Sequence, residues 1–524
     1  MKILITDPIA PVGVEILKEN FLVEERDGIT TEELLSCVGD YDALIVRRHT
    51  KVTEKVLEAG KRLKVIGRAG VYMDNIDVEA ATRKGVMIIN APEGNTVAAA
   101  EHAIAMLLSL SRHIPNANKS LRDGRWDRSK YMGVELTGKT LGIIGLGRVG
   151  GEVARRARSF ALHIMGYDPY ITPERADKLG VEMVSFEDVF KKADFITLHL
   201  PRTKQTYHMV GEKELALMRP TARLINCSRG GLVDEPALYR ALKEGRIAGA
   251  AVDVFEEEPA VDNPLLGLDN VIVTPHMRTM TIEAQENVSQ QVASEVTNAL
   301  LERPVVTAVN VAVVPPETLE EVKPFLPLMR ILGKFYTQVF SSSVEEVEIS
   351  YAGEIASYPV TPLTTNCLIG LLSVMLGESV NYVNAPVIAR QRGIRVREVT
   401  STSTEDFTNL ITLKVKGREG ENILAGTIFR KNDPRIVRIN DYHIEVVPSE
   451  YMLLTRHVDR PGIIGKIGNF LGDSNINIAG MQLGRTTRGG EAAMAIQVDT
   501  PVTDETLDSI KEMEHIHTAR FIRI

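Results

Sequence analysis

Leu141-Gly142-Ile143-Ile144-Gly145-Leu146-Gly147-Arg148-Val149-Gly150 is a short apolar run that ends in G-x-G-x-x-G. Thr140–Ile144 predicts a buried strand and Glu152–Phe160 a helix beyond the last glycine. In that context Gly145 permits the tight turn, and Gly147 lets backbone approach a pyrophosphate. Gly150 lets the helix pack close to the sheet. The helix N-terminus offers free N–H donors and a positive dipole end to phosphate, which adds Arg148 and Val149 to the candidate cofactor contacts. A second strand, His163–Tyr167, ends at Asp168, 18 residues after Gly150. A carboxylate there can accept both ribose hydroxyls and would repel a 2′-phosphate, so NAD is favoured over NADP. The bland alternative is a glycine-rich structural turn.

On either side the same alternation recurs. Upstream, Ile3–Thr6, Ala43–Val46, Val65–Arg68 and Val86–Asn90 read as buried parallel strands. Between them, Val12–Asn20, Thr31–Val38, Thr53–Ala59 and Asp77–Lys84 suit helices. Residues 96–113 form a helix that is apolar nearly all round and therefore buried. Downstream, strands are expected at Phe195–Leu198, Arg223–Asn226, Gly249–Val254 and Val271–Val273, then a long helix at 281–301 that can pack back on the first unit. A proline-marked break follows at Val313-Val314-Pro315-Pro316. Residues 317–450 mix helices with alternating strands such as Asn409–Val415. Residues 451–524 read strand, helix, strand, strand, helix, strand: Tyr451–Arg456, Gly462–Leu471, Ile476–Leu483, Ala492–Val498, Thr503–Lys511 and Ala519–Ile524. That order suits a ferredoxin-like unit. The fold class is α/β, with two Rossmann-like parallel-sheet domains, then an α+β domain and a small ferredoxin-like one. Expected boundaries are 1–95 with 282–310, 96–281, 311–450 and 451–524.

A chain of 524 residues has room for three or four domains of ~100–200 residues. Its net charge of −8 argues against a nucleic-acid partner. No run of ~18 apolar residues suggests a membrane span, and Met1–Pro8 reads as a strand and turn rather than a signal peptide. A cytoplasmic location follows as the default. The three cysteines, Cys37, Cys227 and Cys367, lie far apart without C-x-x-C spacing, so neither a disulfide framework nor a metal site is expected.

Three strand ends offer groups for hydride chemistry on an alcohol. Asn226-Cys227-Ser228-Arg229 ends in a planar cation that can grip a carboxylate at two points. Asp253-Val254-Phe255-Glu256-Glu257-Glu258-Pro259 supplies acids, and Thr274-Pro275-His276 a histidine. His276 is the candidate general acid/base, with Glu258 fixing its ring and raising its pKa, and Arg229 holding carboxylate and carbonyl oxygen. Singly, each has a bland reading as an ion pair, a solvated acid or a turn histidine. Their joint placement after a nucleotide motif favours chemistry.

The chain resembles the D-isomer-specific 2-hydroxy acid dehydrogenases. The motifs are GRAG (67–70), DNID (74–77), EAATRKG (79–85), GLGRVG (145–150), YDPY (167–170), NCSRGGLVDE (226–235), DVFEEEP (253–259) and TPH (274–276). Asn381-Tyr382-Val383-Asn384-Ala385-Pro386 resembles an intervening domain. His457-Val458-Asp459-Arg460-Pro461-Gly462 and Asn475-Ile476-Asn477-Ile478-Ala479 resemble an ACT regulatory domain. Together these are similar to the long-form phosphoglycerate dehydrogenase branch. The resemblance implies oxidation of 3-phospho-D-glycerate by NAD to 3-phosphohydroxypyruvate, the first step of serine biosynthesis, in a homotetramer or homodimer. It implies the roles above for Arg229, Glu258 and His276. It adds Arg47, Arg68, Gly70 and Asn95 near substrate, Cys227, Ser228 and Asp253 near the cofactor, and His457, Asp459 and Asn477 at a serine effector site.

Three turns depart from that pattern. Arg48-His49 stand where the family has small residues, Tyr72-Met73 intrude with Tyr72 replacing a glycine, and Met277-Arg278-Thr279-Met280-Thr281 replaces a small, glycine-containing run. By resemblance they converge on one pocket, so they read as linked changes that shrink or reshape it. Loss of glycine at 72 predicts strain wherever φ is positive. Three outcomes stay open: the same substrate, a different one, or weakened activity. Rival functions are a 2-keto acid reductase on the same scaffold and an NAD-sensing interaction protein, which the C-terminal-binding corepressors resemble.

Overall fold

Strands that are apolar on both faces must be covered by helices on both sides. The computed structural model builds two such sheets. It describes the whole chain except residues 315, 341–342, 405 and 431, and not the side chains of 316 and 378. Pro315 of the proline-marked break therefore lies outside the described residues.

The first sheet runs Leu22–Glu25, Lys2–Ile5, Ala43–Val46, Val65–Arg68, Met87–Asn90, all parallel. The Leu22–Glu25 strand was not expected from sequence. It is an edge strand with an exposed leucine and two glutamates, so it lacks the apolar signature of its neighbours. The helix Ile282–Leu300 packs back on this sheet: a Cβ added at Gly67 would meet Val292 and Val296 at 2.8 Å. Ser289 Oγ accepts the N–H of Ala10 at 2.9 Å on the same face.

The second sheet runs Val271–Val273, Gly249–Val252, Arg223–Asn226, Phe195–Leu198, Thr140–Ile144, His163–Tyr167, Glu182–Met183. The chain fills one side of Thr140–Ile144 first and then the other. The order therefore reverses between Thr140–Ile144 and Phe195–Leu198, where open α/β sheets bind ligands at their carboxyl ends. The following helix spans Arg148–Ala157, starting before the expected Glu152. Gly150 is needed inside the helix, because a Cβ there would lie 2.0 Å from the Gly145 carbonyl oxygen, whereas Gly151 has ordinary room for one. Residues Arg158–Phe160 tighten into a 3₁₀ turn. Helix Thr96–Arg112 buries Ala98, Ala103, Leu107 and Leu110.

A six-stranded mixed sheet follows, with Arg395–Ser401 parallel to Glu346–Gly353 and the remaining strands antiparallel. Asn381 Nδ2 donates to the Gly85 carbonyl at 2.9 Å and ties this unit to the first. The last sheet is antiparallel, ordered Ile478–Arg485, Glu491–Val498, Tyr451–Val458, Ile516–Arg523, with helices Ile463–Asp473 and Asp504–Lys511. Met452, Leu454, Ala495 and Ile522 from this sheet share a core with Leu328, Leu332 and Phe335 of the preceding unit. Among the described residues no helix is long and apolar enough to cross a membrane.

Candidate active site

Gly145 turns with φ 93°, and its N–H donates to the Tyr167 carbonyl at 2.9 Å. Asp168 holds the same turn: Oδ2 accepts the Leu146 N–H at 2.8 Å and Oδ1 the Tyr170 N–H at 2.9 Å. Each oxygen keeps a second lone pair, so the carboxylate both shapes the turn and stays able to take hydroxyl donors. A Cβ at Gly147 would meet nothing within 4 Å, which leaves open space before the helix N-terminus at Arg148. Beside that turn, a cleft of about 190 Å³ is lined by Asn95, Arg148, Val149, His199, Ser228 and Arg278, among others. Open room at a glycine turn, a free helix end and a carboxylate on the neighbouring strand fit a dinucleotide. Gly150→Ala would drive the helix from the turn. We expect the NADH dissociation constant to rise by about tenfold or more, read by fluorescence titration; an unchanged value would contradict this account of the turn.

Three adjacent strand ends bring Arg229, Glu258 and His276 to the same edge of the sheet. His276 Nδ1 lies 2.9 Å from each Glu258 oxygen, leaving Nε2 for other partners. Glu258 Oε1 also takes the Phe255 N–H at 3.2 Å. Burial pushes the Glu258 carboxyl up, but the bond and charge of His276, the Phe255 N–H and Arg48 outweigh it, and the group sits below its ordinary range. His276 is held at φ 51°, a conformation that non-glycine residues rarely adopt, with its N–H on the Asp253 carbonyl at 2.9 Å. Gly230 lets the arginine turn touch the acidic turn: a Cβ there would be 1.7 Å from the Phe255 carbonyl oxygen.

Arg229 is largely buried, and its Nη1 donates to the Ser228 carbonyl at 2.8 Å. Its guanidinium centre lies 3.2 Å from the Tyr72 ring centroid, a cation–π contact. Burial, then the nearby charge of Arg278, bring its pKa down to about 10, which still leaves a cation at neutral pH. Tyr72 is not among the residues with positive φ, so the strain expected from losing glycine at that position is absent. The intrusion acts through its ring, which covers one face of Arg229.

Across the cleft, Arg48 Nη2 bonds Glu258 Oε2 at 3.1 Å. Arg47 is half-buried, with Nη1 on the Pro8 carbonyl at 3.1 Å and Nη2 on Gln285. Its backbone N–H is held by Asp7. Arg68 donates from Nη1 to the Ala69 carbonyl at 3.1 Å, while its buried Nε has no partner among the described residues. Gly70 holds φ at 152°, a conformation L side chains rarely adopt, and Arg68 Nη1 lies where its Cβ would be. Burial lowers the pKa of Arg47 and of Arg68. Asn95 stands at the N-cap position of the Thr96–Arg112 helix without a side-chain capping bond and lines the cleft.

Asp253 is fully buried behind the cleft wall. It accepts from Thr274 Oγ1 at 2.6 Å, Met277 N at 2.9 Å and Arg278 N at 3.2 Å, with His102 Nε2 at 3.3 Å. It therefore anchors the 274–278 turn. Burial raises the Cys227 thiol pKa, and the Cys227 carbonyl accepts from Arg278 Nη1 at 3.0 Å. Ser228 Oγ donates to the Leu200 carbonyl at 2.7 Å.

Sequence reasoning missed Gln285, Gly230 and His199. His199 follows the Phe195–Leu198 strand, so the strand-end rule that found the other three groups also points to it. It is partly buried in the cleft wall, and desolvation and then Arg278 drive its pKa down to about 3, a neutral imidazole bonded to Thr197 Oγ1 at 3.0 Å.

In the last unit His457 is buried, its Nδ1 3.4 Å from Thr455 Oγ1. Asp459 accepts from the Gly489 N–H at 3.0 Å and Arg485 Nη1 at 3.3 Å. Asn477 Nδ2 donates to Asp499 Oδ2 at 2.5 Å. Asp459 and Asn477 are thus each bonded to a partner outside the trio.

Comparison with known proteins matches three family models along the chain. They are the D-isomer specific 2-hydroxyacid dehydrogenase NAD binding domain over residues 104–278, the D-3-phosphoglycerate dehydrogenase intervening domain over 321–440, and the ACT domain over 451–515. A D-3-phosphoglycerate dehydrogenase of Synechocystis is 44% identical over all of this chain and 95% of its own length. One of Methanocaldococcus jannaschii is 45% identical over the full length of both. Among solved structures, a glyoxylate reductase from Paecilomyes thermophila aligns with TM-score 0.54 and 33% identity, over 59% of this chain and 97% of that one.

Proposed function

This chain belongs to the D-3-phosphoglycerate dehydrogenases, within the D-isomer-specific 2-hydroxyacid dehydrogenase family, and we propose that it converts 3-phospho-D-glycerate to 3-phosphohydroxypyruvate at the edge where Arg229, Glu258 and His276 meet. It is an NAD-dependent dehydrogenase with an ACT regulatory domain. The observation that carries the substrate-site reading is the His276–Glu258 pair at 2.9 Å beside Arg229 and the dinucleotide turn. Arg229 grips the carboxylate and polarises the C2 oxygen. His276 takes the C2 hydroxyl proton on Nε2 as the alcohol is oxidised and returns it in reduction. Glu258 fixes the ring and stabilises its protonated form. NAD, when bound, supplies the hydride acceptor, held by the 145–150 turn and Asp168. Arg47, Arg68 and Arg48 offer cations for the phosphate, with Asn95 beside them.

On this reading residues 1–95 with 282–310 bind substrate, 96–281 bind NAD, 311–450 intervene and 451–524 form the ACT unit. Serine is the proposed effector, at His457, Asp459 and Asn477. The exposed Leu121, Trp126 and Met132 support self-association of the nucleotide domains into a homodimer or homotetramer.

The test is NADH oxidation with 3-phosphohydroxypyruvate beside hydroxypyruvate, glyoxylate and 2-oxoglutarate. The phosphorylated acid is expected to give the highest kcat/KM. Tyr72 over Arg229 favours a second reading, a reductase for a smaller 2-oxo acid, and a ranking led by glyoxylate would select it. Tyr72→Gly separates the two by size. It is expected to raise the preference for 3-phosphohydroxypyruvate over glyoxylate by about tenfold or more. An unchanged preference would show that the ring does not filter substrate.

A further inference from the structure

Arg278 is 8% exposed and forms part of the cleft wall beside His199 and Ser228. Its Nη1 donates to the Cys227 carbonyl at 3.0 Å, and its Nε has no partner among the described residues. No carboxylate lies within ion-pair distance of its guanidinium among the described residues. Asp253 takes the backbone N–H of Arg278 and is already engaged with Met277, Thr274 and His102. The other ionisable groups around it do not neutralise it: Arg229 is a second cation, Arg148 a third, and His199 is neutral. A buried, uncompensated guanidinium is costly to keep.

Its position gives that charge a use. On the hydride-transfer reading, Arg229 and His276 would hold the reacting carbon and the 145–150 turn the pyrophosphate, so the nicotinamide would lie between those two turns, beside the cleft lined by Arg148, Val149, Ser228 and Arg278. The oxidised ring carries a positive charge and the reduced ring none. We infer that Arg278 discriminates between the two cofactor forms, repelling the cationic oxidised ring and holding the reduced form more tightly. This rests on the hydride-transfer reading of the same cleft.

The test measures binding rather than turnover. NADH affinity is read by fluorescence titration and NAD⁺ affinity by competition, for the wild-type chain, Arg278→Gln, Arg278→Met and Arg278→Lys. The neutral variants should lower the ratio of the NAD⁺ to the NADH dissociation constant by about tenfold or more, and Arg278→Lys should keep it near wild type. Glutamine can still donate to the Cys227 carbonyl, so it isolates charge from a lost hydrogen bond. If both forms bind and the neutral variants leave the ratio unchanged, or tighten both forms equally as loss of a steric plug would, the inference is overturned while the hydride-transfer reading stands. If the wild-type chain binds neither form, both are overturned.

Discussion

His276→Ala is expected to lower kcat for reduction of 3-phosphohydroxypyruvate by about 10²–10⁴-fold, the usual contribution of a positioned general acid. NADH affinity should stay within a factor of about three, because no contact of the 145–150 turn passes through His276. The positive φ at residue 276 makes the alanine variant no easier to hold than histidine, so thermal unfolding should be followed alongside. A folded variant with full turnover would remove His276 from the chemistry. Glu258→Gln tests the partner: it keeps the shape and one hydrogen bond but removes the charge that stabilises the protonated ring. Its loss should be smaller than that of His276→Ala and should carry over to kcat rather than to KM.

Arg229→Gln is expected to reduce kcat/KM by about a thousandfold, since it deletes a buried cation whose anionic partner must then be desolvated without compensation. Most of that loss should appear in KM for the 2-oxo acid, with a further part in kcat from weaker polarisation of the C2 oxygen. Arg229→Lys should not rescue it. An ammonium has no planar fork to match the carboxylate, and the Tyr72 ring at 3.2 Å is fitted to a flat guanidinium. Steady-state kinetics at saturating NADH decides the point, and a lysine variant near wild type would contradict a two-point grip.

The sequence made the strand ends legible because parallel sheets display them as apolar runs that stop at chemistry-bearing residues. Arg229, Glu258 and His276 were found that way, and His199 was available by the same rule. The Leu22–Glu25 strand escaped because an edge strand needs no continuous apolar pattern. The helix start was placed late, at Glu152 rather than Arg148, because glycines weaken a helical pattern, while Gly150 serves the close packing expected of it. Contacts across the cleft were illegible from one chain position at a time. Nothing local to Arg48 says that it reaches Glu258, nothing local to Tyr72 says that it covers Arg229, and Gly230 shows its purpose only once the Phe255 carbonyl lies against it. The resemblance marked the Arg48 and Tyr72 turns as departures from the family pattern, but only folding reveals which charge meets which.

The central claim is that this edge oxidises a phosphorylated D-2-hydroxy acid, and NAD⁺ reduction by 3-phospho-D-glycerate measures it most directly. The intact chain should produce NADH from the D isomer, not from the L isomer, and production should disappear in His276→Ala. NADH binding without NADH formation from either isomer would contradict the claim.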